Sequence, residues 1–230
     1  MRILRMGPEI ATWILILLVA LLNLAIYSGV VKGEDAVNAI ERQGESPQAQ
    51  ALKAEQDDSD GLPGRFVPTQ GRQHVASGTA VEFCPDGQRA DGCYASNPPS
   101  SGLHLGVEQG VVLADGSVID IPPQPGVYTA AIPRESIPHI LEHAGVYVGY
   151  NCAEAACQEV IERLIIVVSQ EVEQGKRVVL APSPDLAVDT VGMSAWTRVD
   201  GFMTVEYEDG RVRDFIEAHS CRFDPEGFCE

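Results

Sequence analysis

An uncharged run near the start of the chain most limits what this sequence can fold into. The run Ile10–Val31 spans 22 residues and contains no Asp, Glu, Lys or Arg. At about 1.5 Å per residue, a helix over this run crosses the roughly 30 Å hydrocarbon core of a membrane. Trp13 and Tyr27 lie near its two ends, where aromatic side chains favour the membrane interface. The run therefore predicts a single transmembrane helix over residues 10–31.

The flanking charges predict how this anchor is inserted. Arg2 and Arg5 precede the run and Lys32 follows it, so the excess of basic residues places residues 1–9 in the cytoplasm and the rest outside it. A cleaved signal peptide is the alternative, but its apolar region is usually about 7–15 residues long. The longer run favours an uncleaved signal-anchor and hence a single-pass membrane protein.

Composition excludes several classes of function. Acidic residues outnumber basic residues 33 to 16, which gives a formal net charge of −17. A nucleic-acid-binding protein needs the opposite excess to neutralise phosphates, so nucleic acid is excluded as a partner. A hydrophobic fraction of 45% argues against an intrinsically disordered chain. The sequence identifies no protein partner.

The chain becomes polar after the anchor. Residues 32–65 are rich in Ala, Gln, Glu and Asp and offer few apolar side chains to bury, which predicts a flexible acidic stalk. Within this stalk, Ala36–Gln43 and Pro47–Gln56 have helical character, and turn residues separate and end them. Residues 66–230 then form the extracytoplasmic domain.

Apolar patterns and turn signals in residues 66–230 predict a compact α+β (or α/β) domain in which helices pack on a mixed sheet. Two apolar runs around Asp115-Gly116 predict a β-hairpin with a type I′ turn. Gly145 is expected to end a short helix over Ile137–His143. A long helix and two strands joined by Asp200-Gly201 complete the prediction, over Ala153–Glu173, Thr190–Val199 and Met203–Tyr207.

The six cysteines form three pairs of near neighbours in the sequence. An oxidising compartment favours disulfides, and pairing of near neighbours is the simplest arrangement, although the sequence alone cannot fix it. No Cys-x-x-Cys motif supports the alternatives of a thiolate metal site or a redox pair. The predicted disulfides are Cys84–Cys93, Cys152–Cys157 and Cys221–Cys229.

The histidines carry the most chemical information, because the chain has only five. His139 and His143 lie four residues apart on the predicted short helix, so their side chains share one face and have the spacing to bind one metal ion. His139 lies in the first turn, where the helix dipole disfavours the imidazolium and favours the neutral, ligand-competent ring. Glu142 has the spacing of a second-shell carboxylate that orients a ring.

The same residues permit an enzymatic interpretation. The string HILEH at residues 139–143 matches the H-x-x-E-H pattern of inverted zinc proteases. In that interpretation His139 and His143 hold zinc, and Glu142 activates water as the catalytic base. The flanking proline and glycine confine the helix to about two turns, whereas those enzymes carry the pattern on a long helix. We therefore expect binding rather than catalysis.

Several ordered motifs along the chain have counterparts in a known family. The segments NPPSSGLH (residues 97–104), HILEHAGV (residues 139–146) and SAWTR (residues 194–198) are similar to PPTSGPH, H-x-LEHGGV and TAWGR. These patterns, with QHV at residues 73–75 and weaker matches up to residue 227, resemble the DUF3105 family of mostly bacterial, membrane-anchored or exported proteins. The chain departs from the family pattern with Ser100 for Thr, Leu103 for Pro, Ala144 for Gly and Thr197 for Gly. The resemblance implies no activity, because none is established for the family.

The resemblance adds two histidines to the helical pair. It implies a metal-ligand set of His74, His104, His139 and His143, provided that the fold brings them together. Four imidazoles, or three with water, suit zinc or copper. Met193 and Met203 are potential softer ligands for copper, but we expect both to be core residues. The alternative is that the histidines are hydrogen-bonded packing residues. Three hypotheses follow: a metal-binding module, a zinc-dependent hydrolase, and a non-catalytic structural or interaction domain.

Overall fold

The computed structural model describes residues 46–85, 88–153 and 157–229. Within these ranges no helix is both long enough and apolar enough to cross a membrane. The predicted transmembrane run Ile10–Val31 and the predicted helix Ala36–Gln43 lie outside the described residues. Pro47–Glu230 forms one compact unit.

A six-stranded mixed sheet is the framework of this unit. From one edge to the other its strands are β1 (Arg65–Phe66), β10 (Arg198–Met203), β9 (Thr190–Ala195), β7 (Val146–Asn151), β8 (Val178–Pro182) and β6 (Gly126–Val127). The pairs from β1 to β7 are antiparallel, whereas β8 lies parallel to both β7 and β6. Two smaller sheets join β2 (His74–Val75) to β3 (His104–Leu105), and β4 (Glu108–Val112) to β5 (Val118–Ile121).

Helices cover both faces of the large sheet. In the described residues the α-helices are α1 (Pro47–Gln56), α2 (Ile137–Glu142), α3 (Gln158–Glu173) and α4 (Asp209–His219). This combination of a mixed sheet and packed helices confirms the predicted α+β class. Helix α3 begins at Gln158, later than the predicted Ala153, and ends at Glu173 as predicted.

Strand residues alternate between two apolar cores, one on each face of the sheet. In β7, Val148 packs with α3 and α4, whereas Tyr147 packs on the opposite face with α2. In β8, Leu180 belongs to the core on the face of α3 and α4, and Val179 belongs to the core on the face of α2. The reason is that successive strand side chains point to opposite faces. All of these side chains are nearly inaccessible to solvent, and each contributes about 1.5–3 kcal/mol through burial. The histidine motifs lie on the α2 side.

Residues 47–64 differ from the flexible stalk that their polarity predicts. Helix α1 forms over Pro47–Gln56 as predicted, but it packs on the domain through Ala51, which is only 3% exposed. Glu55 also accepts a hydrogen bond from the indole Nε1 of Trp196 at 2.9 Å. The compact unit therefore begins at Pro47, within the segment assigned to the stalk.

Two arginines from the far end of the sequence explain this difference. Nη2 of Arg198 donates to the backbone carbonyls of Asp57 and Ser59 at 2.6 and 3.0 Å. Nη1 of Arg222 donates to the carbonyl of Ala54 at 2.5 Å. Because these guanidinium groups satisfy buried backbone acceptors, the segment is held in place with few apolar residues of its own.

The predicted hairpin forms, but its turn is not of type I′. Gly116 adopts φ 84°, whereas Asp115 is not among the residues with positive φ, and a type I′ turn needs positive φ at both central positions. The N–H of Gly116 donates to the carbonyl of Leu113, and the N–H of Leu113 donates to the carbonyl of Ser117. The strands are therefore joined by a longer loop than the prediction assumed.

The last two strands of the sheet are shifted from their predicted positions. β9 and β10 pair with Ala195 opposite Arg198, so the chain turns at Trp196 and Thr197, and Asp200-Gly201 lies inside β10. The sequence favoured Asp200-Gly201 because this dipeptide has a strong turn preference. Thr197 instead takes φ 62°, a conformation that β-branched residues rarely adopt, and its N–H donates to the carbonyl of Ser100.

Two of the departures from the family pattern fall on left-handed backbone. Ala144 and Thr197 stand where the family pattern has glycine, and they adopt φ 64° and 62°. Helix α2 ends at this point as predicted, with the N–H of Gly145 donating to the carbonyl of Ile140 at 3.0 Å. A Cβ atom on Gly145 would lie 2.6 Å from that oxygen, so close approach requires glycine at 145 while Ala144 takes the left-handed conformation.

We expect Thr197→Gly to be more stable than Thr197→Ala by about 1 kcal/mol. Both variants lose the hydroxyl contacts, but only alanine keeps a Cβ atom, which costs about 1–2 kcal/mol in left-handed backbone and outweighs the greater unfolded-state freedom of glycine. Urea denaturation of both variants measures the difference. The same pair of substitutions at Thr190, a strand residue without positive φ, should give the opposite order. If glycine is the less stable residue at both positions, strain at Thr197 is refuted.

The three predicted disulfides are confirmed, namely Cys84–Cys93, Cys152–Cys157 and Cys221–Cys229. No free cysteine is found in the described residues. Disulfides persist in oxidising compartments, so the three disulfides indicate an extracytoplasmic domain.

Candidate metal centre

Strand pairing brings together two histidines that are far apart in the sequence. β2 and β3 are parallel, and their register sets His74 opposite His104. Side chains opposite each other on neighbouring strands lie on the same face and in contact, and the centroids of these two rings are 4.7 Å apart. His104 is fully buried and His74 is exposed, so the pair extends from the interior to the surface.

Helix α2 adds a third histidine to this pair. Nδ1 of His139 lies 2.7 Å from the carbonyl oxygen of Leu105, the residue that follows His104 in β3. The His139 ring is thereby held 5.1 Å from the ring of His104 and 5.4 Å from the ring of His74, measured between centroids. One ligand nitrogen from each of His74, His104 and His139 lies within 4.8 Å of the other two.

Backbone carbonyls fix which nitrogens of the two buried rings are free. Nδ1 of His104 lies 2.9 Å from the carbonyl of Gly102, and Nδ1 of His139 has the same arrangement with Leu105. A carbonyl oxygen only accepts hydrogen bonds, so both Nδ1 atoms carry protons and both Nε2 atoms are left to bind a cation. Metal-ligating histidines commonly use the other ring nitrogen in this way.

Burial keeps His139 in the neutral form. The pKa of His139 is lowered to about 4, mainly by removal from water and also by the neighbouring histidines, against the opposing effect of the Leu105 carbonyl and of Glu142. The neutral ring is the form that binds metals. The sequence predicted a neutral His139 from the helix dipole, whereas the dominant cause in the structure is burial.

A carboxylate lies beside the three histidines. Oε2 of Glu142 is 2.9 Å from Nε2 of His104, and Oε1 is 3.5 Å from Nη1 of Arg72. Burial raises the pKa of Glu142, but the contact with His104 and the charge of Arg72 outweigh burial, so the pKa lies below its usual value. Glu142 therefore carries a negative charge. It has the predicted role of a carboxylate beside a histidine, but it contacts His104 and not His139.

The short distance between Glu142 and His104 shows whether the arrangement of these residues suits a metal ion. With Nδ1–H directed at Gly102, Nε2 of a neutral His104 ring has only a lone pair, and it makes no well-oriented hydrogen bond. A carboxylate oxygen of Glu142 nevertheless lies 2.9 Å from this nitrogen. Two acceptors at this distance repel each other unless a proton or a cation lies between them. The arrangement of donors therefore fits a metal ion.

The fourth predicted ligand, His143, does not belong to the group. Its ring touches the His139 ring at 4.5 Å between centroids, as the spacing of four residues predicts. However, Nε2 of His143 lies 3.3 Å from Oε2 of Glu226, and the ring packs on Phe228 at 4.4 Å. His143 follows the last residue of α2, where the backbone leaves the helical conformation. The structure thus brings together three of the four predicted histidines.

The two methionines lie elsewhere in the fold. Met193 is buried in the core on the opposite face of the sheet, and Met203 is 45% exposed at the end of β10. His219 also lies apart, because its Nε2 donates to the carbonyl of Pro63 and its Nδ1 accepts from Nε of Arg222. The candidate centre therefore contains nitrogen and oxygen donors.

Sequence reasoning missed Arg72 and the backbone carbonyls that orient the rings. Arg72 has no motif of its own, and its side chain reaches the site only because β2 lies beside α2 and β3. The carbonyls of Gly102 and Leu105 leave no trace in the residue types. These contacts could have been predicted only from a sequence signal for the pairing of β2 with β3. Strands of two residues are too short to give such a signal.

The fold and the three histidines define an extracytoplasmic α+β domain with a candidate metal centre. A family model described as "Protein of unknown function (DUF3105)" matches residues 88–229, which is more than half of the chain, and the chain belongs to this family. Of the three histidines, His104 and His139 lie within the matched residues and His74 precedes them. No curated protein and no solved structure matches the chain.

We expect stability to fall at acidic pH partly because of His219, which lies outside the candidate centre. Burial lowers the pKa of His219 to about 4, against the opposing effect of the Pro63 carbonyl. The unfolded chain therefore binds the proton more readily than the folded chain between pH about 6.5 and 4. This contribution is fully present above pH about 6.5 and is lost as the pH falls towards 4, by on the order of 3 kcal/mol.

Urea denaturation at neutral pH and near pH 4.5 tests this expectation. The His219→Gln variant has no titrating group at this position, so it should lose less stability than the unmodified protein over the same interval. Equal losses in both proteins would contradict the assignment to His219.

Proposed function

We propose that this protein is a single-pass, membrane-anchored protein whose extracytoplasmic domain binds one transition-metal ion, zinc or copper, through His74, His104 and His139. The observation that carries the proposal is the convergence of three ligand nitrogens within 4.8 Å of one another. Two nitrogens bound to one zinc ion at about 2.0–2.1 Å are separated by at most about 4.2 Å, so modest movement of the side chains is sufficient.

The surroundings of the three rings support this proposal. Each buried ring is oriented by a carbonyl on the far side from the ligand nitrogen, and Glu142 supplies a negative charge beside the cation. Imidazole and carboxylate donors without thioether or thiolate suit Zn²⁺ or Cu²⁺ better than Cu⁺. Copper is favoured by intrinsic affinity and zinc by availability and geometry.

The membrane anchor belongs to the same proposal. Its support is the uncharged run Ile10–Val31 with basic residues in front of it, together with the three disulfides of the domain. In this arrangement residues 1–9 are cytoplasmic, and the metal centre faces an oxidising compartment.

Metal analysis of the purified full-length protein tests the proposal. After growth with added zinc or added copper, we expect about one equivalent of metal per chain, and none in a His104→Ala/His139→Ala double variant. The His219→Gln variant is the matched control, since that histidine is also buried but lies outside the centre. Unmodified protein that contains no stoichiometric metal under either condition would refute the proposal.

One observation favours a second function, a metal-dependent hydrolase. The Glu142 carboxylate lies next to a ligand atom of the triad, and the exposed His74 leaves the centre open on one side. Zinc lowers the pKa of coordinated water towards about 7, and Glu142 would then serve as the base that accepts its proton. The ligands would be the triad and not the His139 and His143 of the H-x-x-E-H pattern.

The Glu142→Gln variant separates the two functions. A hydrolase requires that the unmodified, zinc-loaded protein cleaves ester or peptide substrates and that the variant loses this activity while retaining its zinc. Absence of hydrolysis in metal-loaded protein favours the binding module. Absence of both metal and hydrolysis would favour the third hypothesis, a structural or interaction domain in which the histidines only pack.

A further inference from the structure

A small cavity lies behind His143, and none of the three histidines of the candidate centre lines it. Its volume is about 140 Å³, which is below the roughly 300–1,000 Å³ of pockets for drug-sized molecules. Its lining includes Pro122, Pro123, Pro125, His143, Arg177 and Phe228. Only a molecule of a few heavy atoms fits this space.

Arg177 is the basic residue of the cavity, and no described residue forms an ion pair with it. Its Nε donates to the carbonyl of His143 at 2.7 Å, and its guanidinium lies 5.0 Å from the centroid of the Phe228 ring. These two contacts hold the side chain in place. No carboxylate of the described residues lies within ion-pair distance of Arg177, and its two terminal nitrogens make no hydrogen bond in this part of the chain.

Four other arginines of the domain have partners for their guanidinium groups. Arg213 pairs with Glu171 and Arg211 with Asp200, while Arg198 and Arg222 donate to several backbone carbonyls. Burying a cation is costly unless it is paired. Arg177 is half-buried, and this partial burial lowers its pKa, against the opposing charge of Asp224. An anion in the cavity would remove this cost.

The nearest acidic residues do not supply that anion. Both carboxylate oxygens of Asp224 accept backbone N–H groups, from Phe228 and Cys229. Glu226 faces Nε2 of His143. Among the described residues none occupies the two terminal nitrogens of Arg177, which have the planar fork geometry that matches a carboxylate.

The remaining walls select the kind of anion. Three prolines, together with Ile140, Val179 and Phe228, supply the apolar part of the lining, which faces polar groups that include Arg177. Proline has no backbone N–H, so the Pro122–Pro125 wall offers few donors to a highly charged oxyanion. A ligand with one carboxylate and a short hydrocarbon tail matches both the cation and the apolar walls, whereas inorganic phosphate leaves the walls without complementary contacts.

We propose that this cavity binds a short aliphatic monocarboxylate, with its carboxylate paired to the terminal nitrogens of Arg177 and its tail against the proline wall. The proposed ligand is a small acid that is free in solution. The site is independent of metal at His74, His104 and His139, so the two proposals succeed or fail separately.

Calorimetric titration of the full-length protein with butyrate and with butyramide tests the site without altering the protein. The two ligands have nearly the same shape, and only butyrate carries a charge. We expect saturable binding of butyrate at one site per chain, with butyramide weaker by about 10–100-fold, the factor for losing hydrogen bonds to a charged partner. Equal affinity for the two ligands, tighter binding of inorganic phosphate, or no saturable butyrate binding would each overturn the proposal.

Variants locate the site. Arg177→Lys keeps the charge and loses the fork, and we expect weaker butyrate binding by about 10-fold, with a larger loss in Arg177→Gln. Arg163→Gln is the matched control, because Arg163 is an arginine paired with Asp209 on the surface, and it should bind butyrate unchanged. Thermal unfolding of each variant verifies that it is folded. Butyrate binding that survives in folded Arg177→Gln would place it elsewhere and refute the assignment.

Discussion

Replacement of His104 by alanine is expected to weaken metal binding far more than replacement of His143. His104 is fully buried, its Nδ1 is fixed by the Gly102 carbonyl, and its Nε2 faces the other ligand nitrogens. Loss of a residue that only orients a ligand costs about 10–100-fold in metal affinity, so loss of the ligand itself should cost at least about 100-fold. His143 pairs with Glu226 outside the group, and its loss should cost less than about 10-fold.

Competition with a chromophoric zinc chelator measures both affinities on the full-length protein. The comparison is matched, because the two histidines belong to the same cluster of rings and both variants remove one imidazole. Thermal unfolding in the presence of chelator verifies that both variants are folded. Similar losses of affinity in the two variants would restore the predicted set of four histidines, and a larger loss in His143→Ala would contradict the three-histidine centre.

Replacement of Arg213 by methionine is expected to lower the free energy of unfolding by about 3–5 kcal/mol. Nη1 of Arg213 lies 2.6 Å from Oε1 of Glu171, whose side chain is only 2% exposed, and the pair joins α4 to α3. Removing the arginine leaves a buried carboxylate without its cation, which is among the costliest single changes in a folded protein.

Replacing the other partner of the pair, Glu171, distinguishes the cost of an unpaired buried charge from the loss of the ion pair itself. Glu171→Gln leaves Arg213, whose side chain is 31% exposed and reaches water, so we expect a smaller loss. Arg163→Met is the surface control, since the side chains of Arg163 and Asp209 are 47% and 41% exposed, and such pairs contribute about 1 kcal/mol or less. Urea denaturation compares the three variants. Equal losses in Arg213→Met and Arg163→Met would contradict the importance of the buried pair.

The sequence predicts those parts of the fold that depend on local patterns. Helix α3 has one apolar stripe, with Leu164, Val167 and Val168 buried against the sheet, and its period identifies it without further information. The near-neighbour disulfides were also predictable, because each closes a short loop. The contact between His139 and His143 follows from their spacing of four residues.

Features that depend on contacts between distant residues could not be predicted in this way. The packing of residues 47–64 depends on Arg198 and Arg222, more than a hundred residues later, so polarity alone wrongly indicated a flexible stalk. The turn at Thr197 is held by the tertiary contact with Ser100, which prevailed over the stronger local turn signal of Asp200-Gly201.

The candidate metal centre includes features of both kinds, those that the sequence predicts and those that only the structure shows. The residue types and the family motifs identified His74, His104, His139 and His143 as a set, but only the parallel pairing of β2 and β3 shows that the first two meet. The end of α2 turns His143 towards Glu226, and the number of ligands depends on this detail. The spacing of residues on an ideal helix does not predict this change of direction at the end of α2.

Anomalous diffraction from crystals of the metal-loaded protein, collected at the absorption edge of zinc or copper, tests the central claim most directly. We predict one strong anomalous peak within about 2.0–2.2 Å of Nε2 of His104, Nε2 of His139 and one ring nitrogen of His74. A peak at any other position, or metal-loaded crystals with no peak at these three rings, would contradict the three-histidine centre.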